Sequence, residues 1–466
     1  MLGGSLRSGA ETPSAATATT LDFRDFTRRS GLLKFVFDDA GGNTWRVGLV
    51  HQDADVQSDL NSLLGSGRYA RTTALEGDDR YRMQLVTAAW EFGAPEGLIE
   101  DGVLRAYLQQ STTRQDTLDE RGAAARPVSI ERYFEFDQQI RGIETEPAPD
   151  ADSRRAGAPA GCGHRVSRTA HRGIPRDGVE TGIEDGNVTR VILGEVFPLR
   201  DFPRSRTREW GAFAEDSLRV GDWSLIAALR ADRYELEPLS DALYAEDYPF
   251  ANPVALTETD VTPKLALMYH HADSADVYLQ YTQGFRAPPY EDANIGLDIP
   301  VFNYRAIPNP DLKSETSEGL ELGVRWRGDA LSLHAAAFYT DYSNFIESRV
   351  RVGTDPDSGR TLFQAQNLRE ATIRGIESGF EWQPDGRLRD FRIDGSLYIA
   401  SGKNGETGEP LDSSARRKRC SVSPGGRRTD AAACGCRPPP PRPGTSATRV
   451  AGRCSSRPAR SCSTFT

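Results

Sequence analysis

Residues 319–341 read GLELGVRWRGDALSLHAAAFYTD, and their alternation decides the fold class. Leu320, Leu322, Val324 and Trp326 fall on one side of an extended chain, and Glu321, Gly323, Arg325 and Arg327 on the other. Successive side chains of a strand point to opposite faces, so this is an amphipathic strand of period two. Leu331, Leu333, Ala335, Ala337 and Tyr339 repeat the pattern against Ser332, His334 and Thr340. Gly328-Asp329 between the two runs reads as a two-residue hairpin turn.

The alternation recurs in both directions. Leu265, Leu267 and Tyr269 oppose Lys264, Met268 and His270, and Phe391, Ile393, Leu397 and Ile399 oppose Arg392, Asp394, Ser396 and Tyr398. Further runs lie at Trp45/Val47/Leu49, 80–92, 103–111, 130–140, 208–220 and 223–234. About twelve to fourteen such segments result, each near the ~9–11 residues with which a tilted strand crosses a bilayer. Short turns (Asp39–Asn43, Gly221-Asp222, His271–Ala275, Gly328-Asp329) alternate with long polar stretches at 53–77, 235–259, 287–315 and 344–370. Trp90, Trp210, Trp326, Trp382 and Tyr342 are expected at strand ends as interfacial aromatics. The asymmetry of the connections predicts an all-β, antiparallel transmembrane β-barrel rather than a soluble sandwich. The charged face of each strand then borders a water-filled or plugged lumen, which tolerates charge that a packed core would not.

Composition agrees. Hydrophobic residues make up 38% and mean hydropathy is −0.54, and no run approaches the ~18–20 apolar residues of a membrane-spanning helix. A barrel also reads as polar overall, because only alternate residues face lipid. The start, Met1-Leu2-Gly3-Gly4-Ser5, lacks the pattern of a secretory leader, and Met1 is read as an internal start in a longer gene. Net charge is −10, but residues 413–466 hold twelve Arg/Lys against the single acid Asp430, a local +11 that leaves −21 on residues 1–412.

Two segments stand apart. Residues 151–176 (ADSRRAGAPAGCGHRVSRTAHRGIPR) and 413–466 are rich in Arg, Ala, Gly, Pro and Ser, and hold all the cysteines: Cys162, Cys420, Cys434, Cys436, Cys454 and Cys462. Neither shows strand or helix periodicity, and both read as GC-rich DNA translated out of frame. The cysteine spacing is not that of a zinc site. Arg416-Arg417-Lys418-Arg419 as a nucleic-acid patch and the proline run 438–443 as a docking segment are the weaker readings. The expected organisation is a disordered or fragmentary N-terminus (1–20), barrel wall (21–150), an out-of-frame insert (151–176), more barrel wall with the FRAP/NPDL loop (177–412) and an out-of-frame, disordered basic tail (413–466).

Gly284-Phe285-Arg286-Ala287-Pro288, followed by Asn309-Pro310-Asp311-Leu312-Lys313-Ser314-Glu315, resembles the paired boxes of TonB-dependent outer-membrane receptors of the haem and haemoglobin uptake branch. Thr262-Pro263-Lys264, Val277–Tyr281, Glu318–Gly323, Asn367-Leu368 and Ile373–Glu377 are similar to that family as well. The resemblance covers 21–150 and 177–412. It implies that Phe285, Arg286, Ala287 and Pro288 on one side, and Asn309, Pro310, Asp311 and Leu312 on the other, bracket an extracellular loop that meets haem. This sequence carries NPDL where the family has NPNL. Family members often place an axial histidine between the boxes, but residues 289–308 contain none, and Tyr290 and Tyr304 remain as candidate haem ligands, with ordinary loop or girdle aromatics as the alternative. His51, His270, His271 and His334 are weaker candidates.

The resemblance further implies 22 strands in a complete barrel, of which about 12–14 are present here, and an N-terminal plug that no segment resembles. It implies transport across the outer membrane rather than catalysis. Haem is the carried ligand with no permanent cofactor; the partners are a haem protein, outer-membrane lipid and the TonB–ExbB–ExbD complex, and no nucleic acid. No nucleophile–base pair, phosphate loop or metal-ligand spacing argues for an enzyme. Asp241, Glu246, Asp247 and Glu258 could suggest calcium, against a solvated acidic loop. A ferric-siderophore receptor, a non-functional gene fragment and a soluble β-rich binding protein are the rival readings.

Overall fold

A computed structural model of the chain describes residues 2–11, 22–93, 101–147, 161–173, 175–239, 241–271, 274–383, 392–405, 407–410 and 418–419. The wall is built from β1 (Leu2–Glu11), β2 (Phe23–Asp38), β3 (Thr44–Asp59), β4 (Ala74–Gly93), β5 (Asp101–Arg121), β6 (Val128–Pro147), β7 (Gly161–Gly173) and β8 (Ser205–Val220). It continues through β9 (Trp223–Pro238), β10 (Leu256–His271), β11 (Ala275–Arg286), β12 (Glu315–Arg327), β13 (Leu331–Thr354), β14 (Thr361–Trp382) and β15 (Ile393–Asn404). Each strand pairs antiparallel with the next, from β1 through β15, in one meander. Among the described residues β1 and β15 are not paired with each other.

The register carries the alternation across the wall. Leu320, Leu322, Val324 and Trp326 of β12 lie opposite Tyr339, Ala337, Ala335 and Leu333 of β13, so the apolar sides of both runs share one face. That face looks outward: Leu322 is 55% and Leu320 50% exposed. It extends over Val47 and Leu49, Ile143, Leu225 and Leu229, Leu265 and Leu267, Val277 and Leu279, Ile376 and Leu397. A contiguous exposed apolar belt of this extent needs a nonaqueous partner, and a lipid hydrocarbon layer is the partner a barrel wall meets. No helix among the described residues is long and apolar enough to cross a membrane.

The inner face carries polar and small residues. Gly323 lies beneath the Tyr278 ring, where a Cβ would collide with it. On the inner wall near the short turns, His270 sits between Ser224 Oγ, 2.8 Å from Nε2, and Asp276 Oδ1, 2.7 Å from Nδ1. These three side chains come from adjacent paired strands. They form a wall relay that fixes the imidazole.

The strands run longer than expected. Residues 53–59, 74–77, 344–354 and 361–370, read as loop, are strand. Above the membrane both faces of a strand meet water, so hydrophobic alternation fades while backbone pairing continues. For the same reason His51 lies within β3, not at the start of a loop. The turn between β12 and β13 is a two-residue one at Asp329-Ala330, one position on from Gly328-Asp329, closed by Gly328 N–H donating to Leu331 O at 2.8 Å. Tyr342 is not an outward girdle residue: it alternates with the outward Tyr339 and contacts Phe345 edge-on.

Two corrections concern the anomalous segments. Residues 2–11, read as fragmentary, pair along their length with β2. Residues 161–173, read as lacking strand character, form β7 and bridge β6 to β8. Composition hid this strand because its outward row (His164, Val166, Arg168, Ala170, Arg172) holds one large apolar residue, and pairing on both sides supplies what patterning does not. Phe391 and residues 151–160 lie outside the described residues, as does 413–466 apart from the two-residue strand Lys418–Arg419.

Candidate functional site

β11 ends at Arg286 and β12 begins at Glu315, and these two residues face each other in the ladder. Arg286 Nη1 donates to Glu315 Oε2 at 2.7 Å, while Glu315 Oε1 accepts the backbone N–H of Ile346 at 2.8 Å. The two boxes therefore meet at the neck of the loop they bracket. Beyond the neck, Pro288 is fully buried and Ala287 packs against a cluster formed by Tyr234, Leu236, Leu256, Tyr290, Ala293, Leu312, Ile346 and Ala365.

The second box returns the chain to the wall. Buried Asn309 donates through Nδ2 to Ala365 O at 2.6 Å and accepts from Asp311 N–H at 2.9 Å, an Asx-type turn. Leu312 is 1% exposed, and Lys313 exchanges two 2.8 Å hydrogen bonds with Asn367. Phe285 and Ala287 are half-buried, and Arg286, Pro310 and Asp311 are exposed. The shape of the boxes thus follows from anchoring: their buried members hold the loop against β13 and β14.

Between the boxes the chain is folded. Helix α2 (Tyr290–Ala293) follows the first box; α1 (Ala242–Asp247) lies in the preceding connection. Asn294, fully buried, donates to Val254 O at 2.9 Å and ties the end of α2 to that connection. Leu297–Ile299 pairs with Tyr304–Ala306, which in turn runs parallel to Thr361–Phe363 of β14. Arg305 is held by Asp298 at 2.7 Å and by Asp355, with its guanidinium 4.0 Å from the Phe250 ring centroid. The tip is the Pro300–Phe302 turn, where Val301 is 60% and Phe302 45% exposed.

The two candidate tyrosines differ. Tyr290 is 8% exposed, stacked 4.1 Å from His171 and 5.9 Å from Phe136. Burial pushes its hydroxyl well above the ordinary tyrosine value, which disfavours the tyrosinate. Tyr304 is half-buried and stacked on Phe363 at 4.5 Å, its hydroxyl raised by burial and lowered by Arg349. His334 is exposed on the inner wall above Gly379. His171, within the segment expected to be out of frame, is an aromatic partner of the loop, a role visible only once β7 is paired.

The acidic connection does not converge on one point. Asp241 caps α1 and pairs with Arg200 at 3.2 Å, Asp247 accepts from Arg200 N–H at 2.7 Å, and Glu258 accepts from Ser314 at 3.0 Å. Among the described residues no group of three His, Cys, Asp or Glu is placed to hold a metal ion.

The meander, its outward apolar belt and the box-bracketed loop agree with a match of residues 10–419 to the family described as TonB dependent receptor-like, beta-barrel. The chain belongs to that family. It is an outer-membrane protein of the receptor class. Over 118 residues it is 36% identical to a probable hemoglobin and hemoglobin-haptoglobin-binding protein 3 of Haemophilus influenzae, a stretch covering 24% of this chain and 11% of that relative. Over 139 residues it is 27% identical to the ferric enterobactin receptor PirA of Pseudomonas aeruginosa, covering 29% of this chain and 17% of the relative. In fold it is similar to the Serratia marcescens hemophore receptor HasR, solved with its hemophore and heme: TM-score 0.55, 16% identity, 86% of this chain and 59% of that one. The matched stretches thus span a small part of the curated relatives and about three fifths of the solved receptor.

Proposed function

We propose that this TonB-dependent receptor wall serves the uptake of haem, taken free or from a haem protein, with the loop at 287–314 as the capture element. The observation that carries the reading is the anchored loop itself. The buried members of both boxes are spent on holding it, and its exposed tip carries Val301, Phe302 and Asn303 beside the half-buried Tyr304. An apolar tip beside a phenol suits a flat, largely apolar iron macrocycle. The hemoglobin-binding relative supports the choice of cargo. TonB with ExbB and ExbD would supply the energy.

Of the two tyrosines, Tyr304 is the better candidate ligand, because Tyr290 would have to leave its aromatic stack to reach iron. The test is a hemin titration of the detergent-refolded chain, read by the Soret band and by tyrosinate-to-iron charge transfer. Saturable binding that loses the charge-transfer band in Tyr304→Phe and keeps it in Tyr290→Phe is expected. Absence of saturable binding sinks the proposal. A siderophore receptor is the second reading, favoured by the lack of histidine in 289–308 and by the enterobactin-receptor relative; ferric enterobactin quenching of tryptophan fluorescence in place of hemin binding would establish it. The out-of-frame reading of 413–466 is likewise a proposal, which resequencing of the locus tests.

A further inference from the structure

The outer wall at β6, β7 and β8 changes character over one step of the ladder. Ile143, Val166 and Trp210 stand side by side in register, exposed at 56%, 52% and 46%, as the upper edge of the apolar belt there. Two residues further toward the long loops, ~6.6 Å along the strands, the same outward row reads Arg141, Arg168, Arg208. Beyond it come Arg206, beside Ala170, and Arg172, opposite Asp137. Arg204 from the preceding turn joins Arg141, Arg168, Arg172 and Arg206 around a cavity of about 320 Å³ whose lining contains no carboxylate.

Like charges directly opposite on neighbouring strands, ~4.8 Å apart, repel one another. The nearby acids relieve only part of this. Arg208 reaches Glu235 at 3.6 Å and Glu237 at 3.4 Å, Arg206 reaches Glu237 at 3.4 Å, and Arg204 reaches Asp241 at 3.6 Å. Asp137 accepts a hydrogen bond from Thr112 at 2.6 Å. Among the described residues Arg141, Arg168 and Arg172 have no ion-pair partner, and Arg168 also faces Arg206 and Arg208.

We propose that this arginine ledge binds the phosphate groups of lipid headgroups in the extracellular leaflet. Its continuity with the lipid-facing row selects a lipid over a soluble anion: a lipid whose chains cover Ile143, Val166 and Trp210 carries its phosphate to the height of the arginines. Guanidinium groups bind phosphate through paired hydrogen bonds, and such an anion removes the cross-strand repulsion. The inference stands apart from the choice of cargo.

The experiment uses the full chain refolded into vesicles of phosphatidylcholine alone or with phosphatidate as the phosphomonoester probe. Phosphatidate retained per chain after detergent extraction is read by native mass spectrometry, and stability by the urea midpoint. Wild-type chain is expected to retain phosphatidate over phosphatidylcholine, with retention falling as salt rises. Arg141→Gln with Arg168→Gln should weaken retention about thirtyfold. The same pair should raise the urea midpoint in phosphatidylcholine, where the repulsion goes unanswered, and Arg141→Lys with Arg168→Lys should keep most of the binding. Equal retention of both lipids by the wild type, which requires no variant to fold, overturns the proposal. So does inorganic phosphate stabilising the chain in phosphatidylcholine as well as phosphatidate does, which would mark a free-anion site.

Discussion

Arg286 and Glu315 are ladder partners whose side chains meet at 2.7 Å, so the ion pair that joins the two boxes is also the last rung beneath the loop. Its two halves are unequal. Glu315 is buried and also accepts the Ile346 amide, whereas the Arg286 side chain is 42% exposed. Glu315→Ala strands a buried N–H and is expected to cost about 1–3 kcal/mol. Arg286→Ala removes a partly screened charge and should cost under about 1 kcal/mol. Urea unfolding in micelles measures both; an Arg286 effect equal to that of Glu315 would show that the pair, not the amide, holds the neck.

Asn309 lies at the other anchor. Asn309→Ala loses the bonds to Ala365 O and Asp311 N–H within a buried site, for an expected loss of about 1–3 kcal/mol, with faster protease cleavage between 290 and 308. Asp311→Ala, at an exposed side chain, should leave both readouts near wild type. Cleavage unchanged in Asn309→Ala would mean that the loop is held by its apolar cluster alone.

Leu322 is exposed on the outward face, four residues above Trp326. In a bilayer, Leu322→Arg should destabilise the wall by about 2–4 kcal/mol, as charges on a lipid face do. The same change at Thr340, on the inner face, should be tolerated. Equal effects at the two positions in vesicles would contradict the assignment of faces.

His171 lies five residues beyond Val166, above the apolar belt on β7, and stacks on Tyr290 of the loop helix. Burial lowers its pKa from 6.5 to about 4. The unfolded chain therefore binds a proton between those values while the folded chain does not. Stability is full above about pH 6.5 and is lost as pH falls toward 4, by about 3 kcal/mol in all. Urea midpoints at neutral pH and near pH 4.5 should differ for the wild type, and less for His171→Phe, which keeps the ring stack without a titrating group.

Much of the wall was legible because a strand's side-chain period is local: Leu320 to Trp326 declare one face whatever lies beside them. The boxes were legible too, as a spacing of residue types. Their role was not. Nothing in Asn309-Pro310-Asp311-Leu312 says that Asn309 reaches Ala365, because that partner lies 56 positions away. β7 was missed for a related reason. A strand flanked on both sides takes its hydrogen bonds from its neighbours, so it persists without an apolar pattern of its own.

The sequence by itself determined that this is an antiparallel β-wall with one apolar side, where its short turns fall, and which loop the two boxes bracket. Those features follow from side-chain alternation and turn chemistry, which need no knowledge of distant residues. Only the tertiary structure decided that the boxes act as anchors, that His171 belongs with Tyr290, and that Arg141, Arg168 and Arg208 form one row. Each depends on strand register, and register is set by the summed pairing of whole strands and not by any residue taken alone.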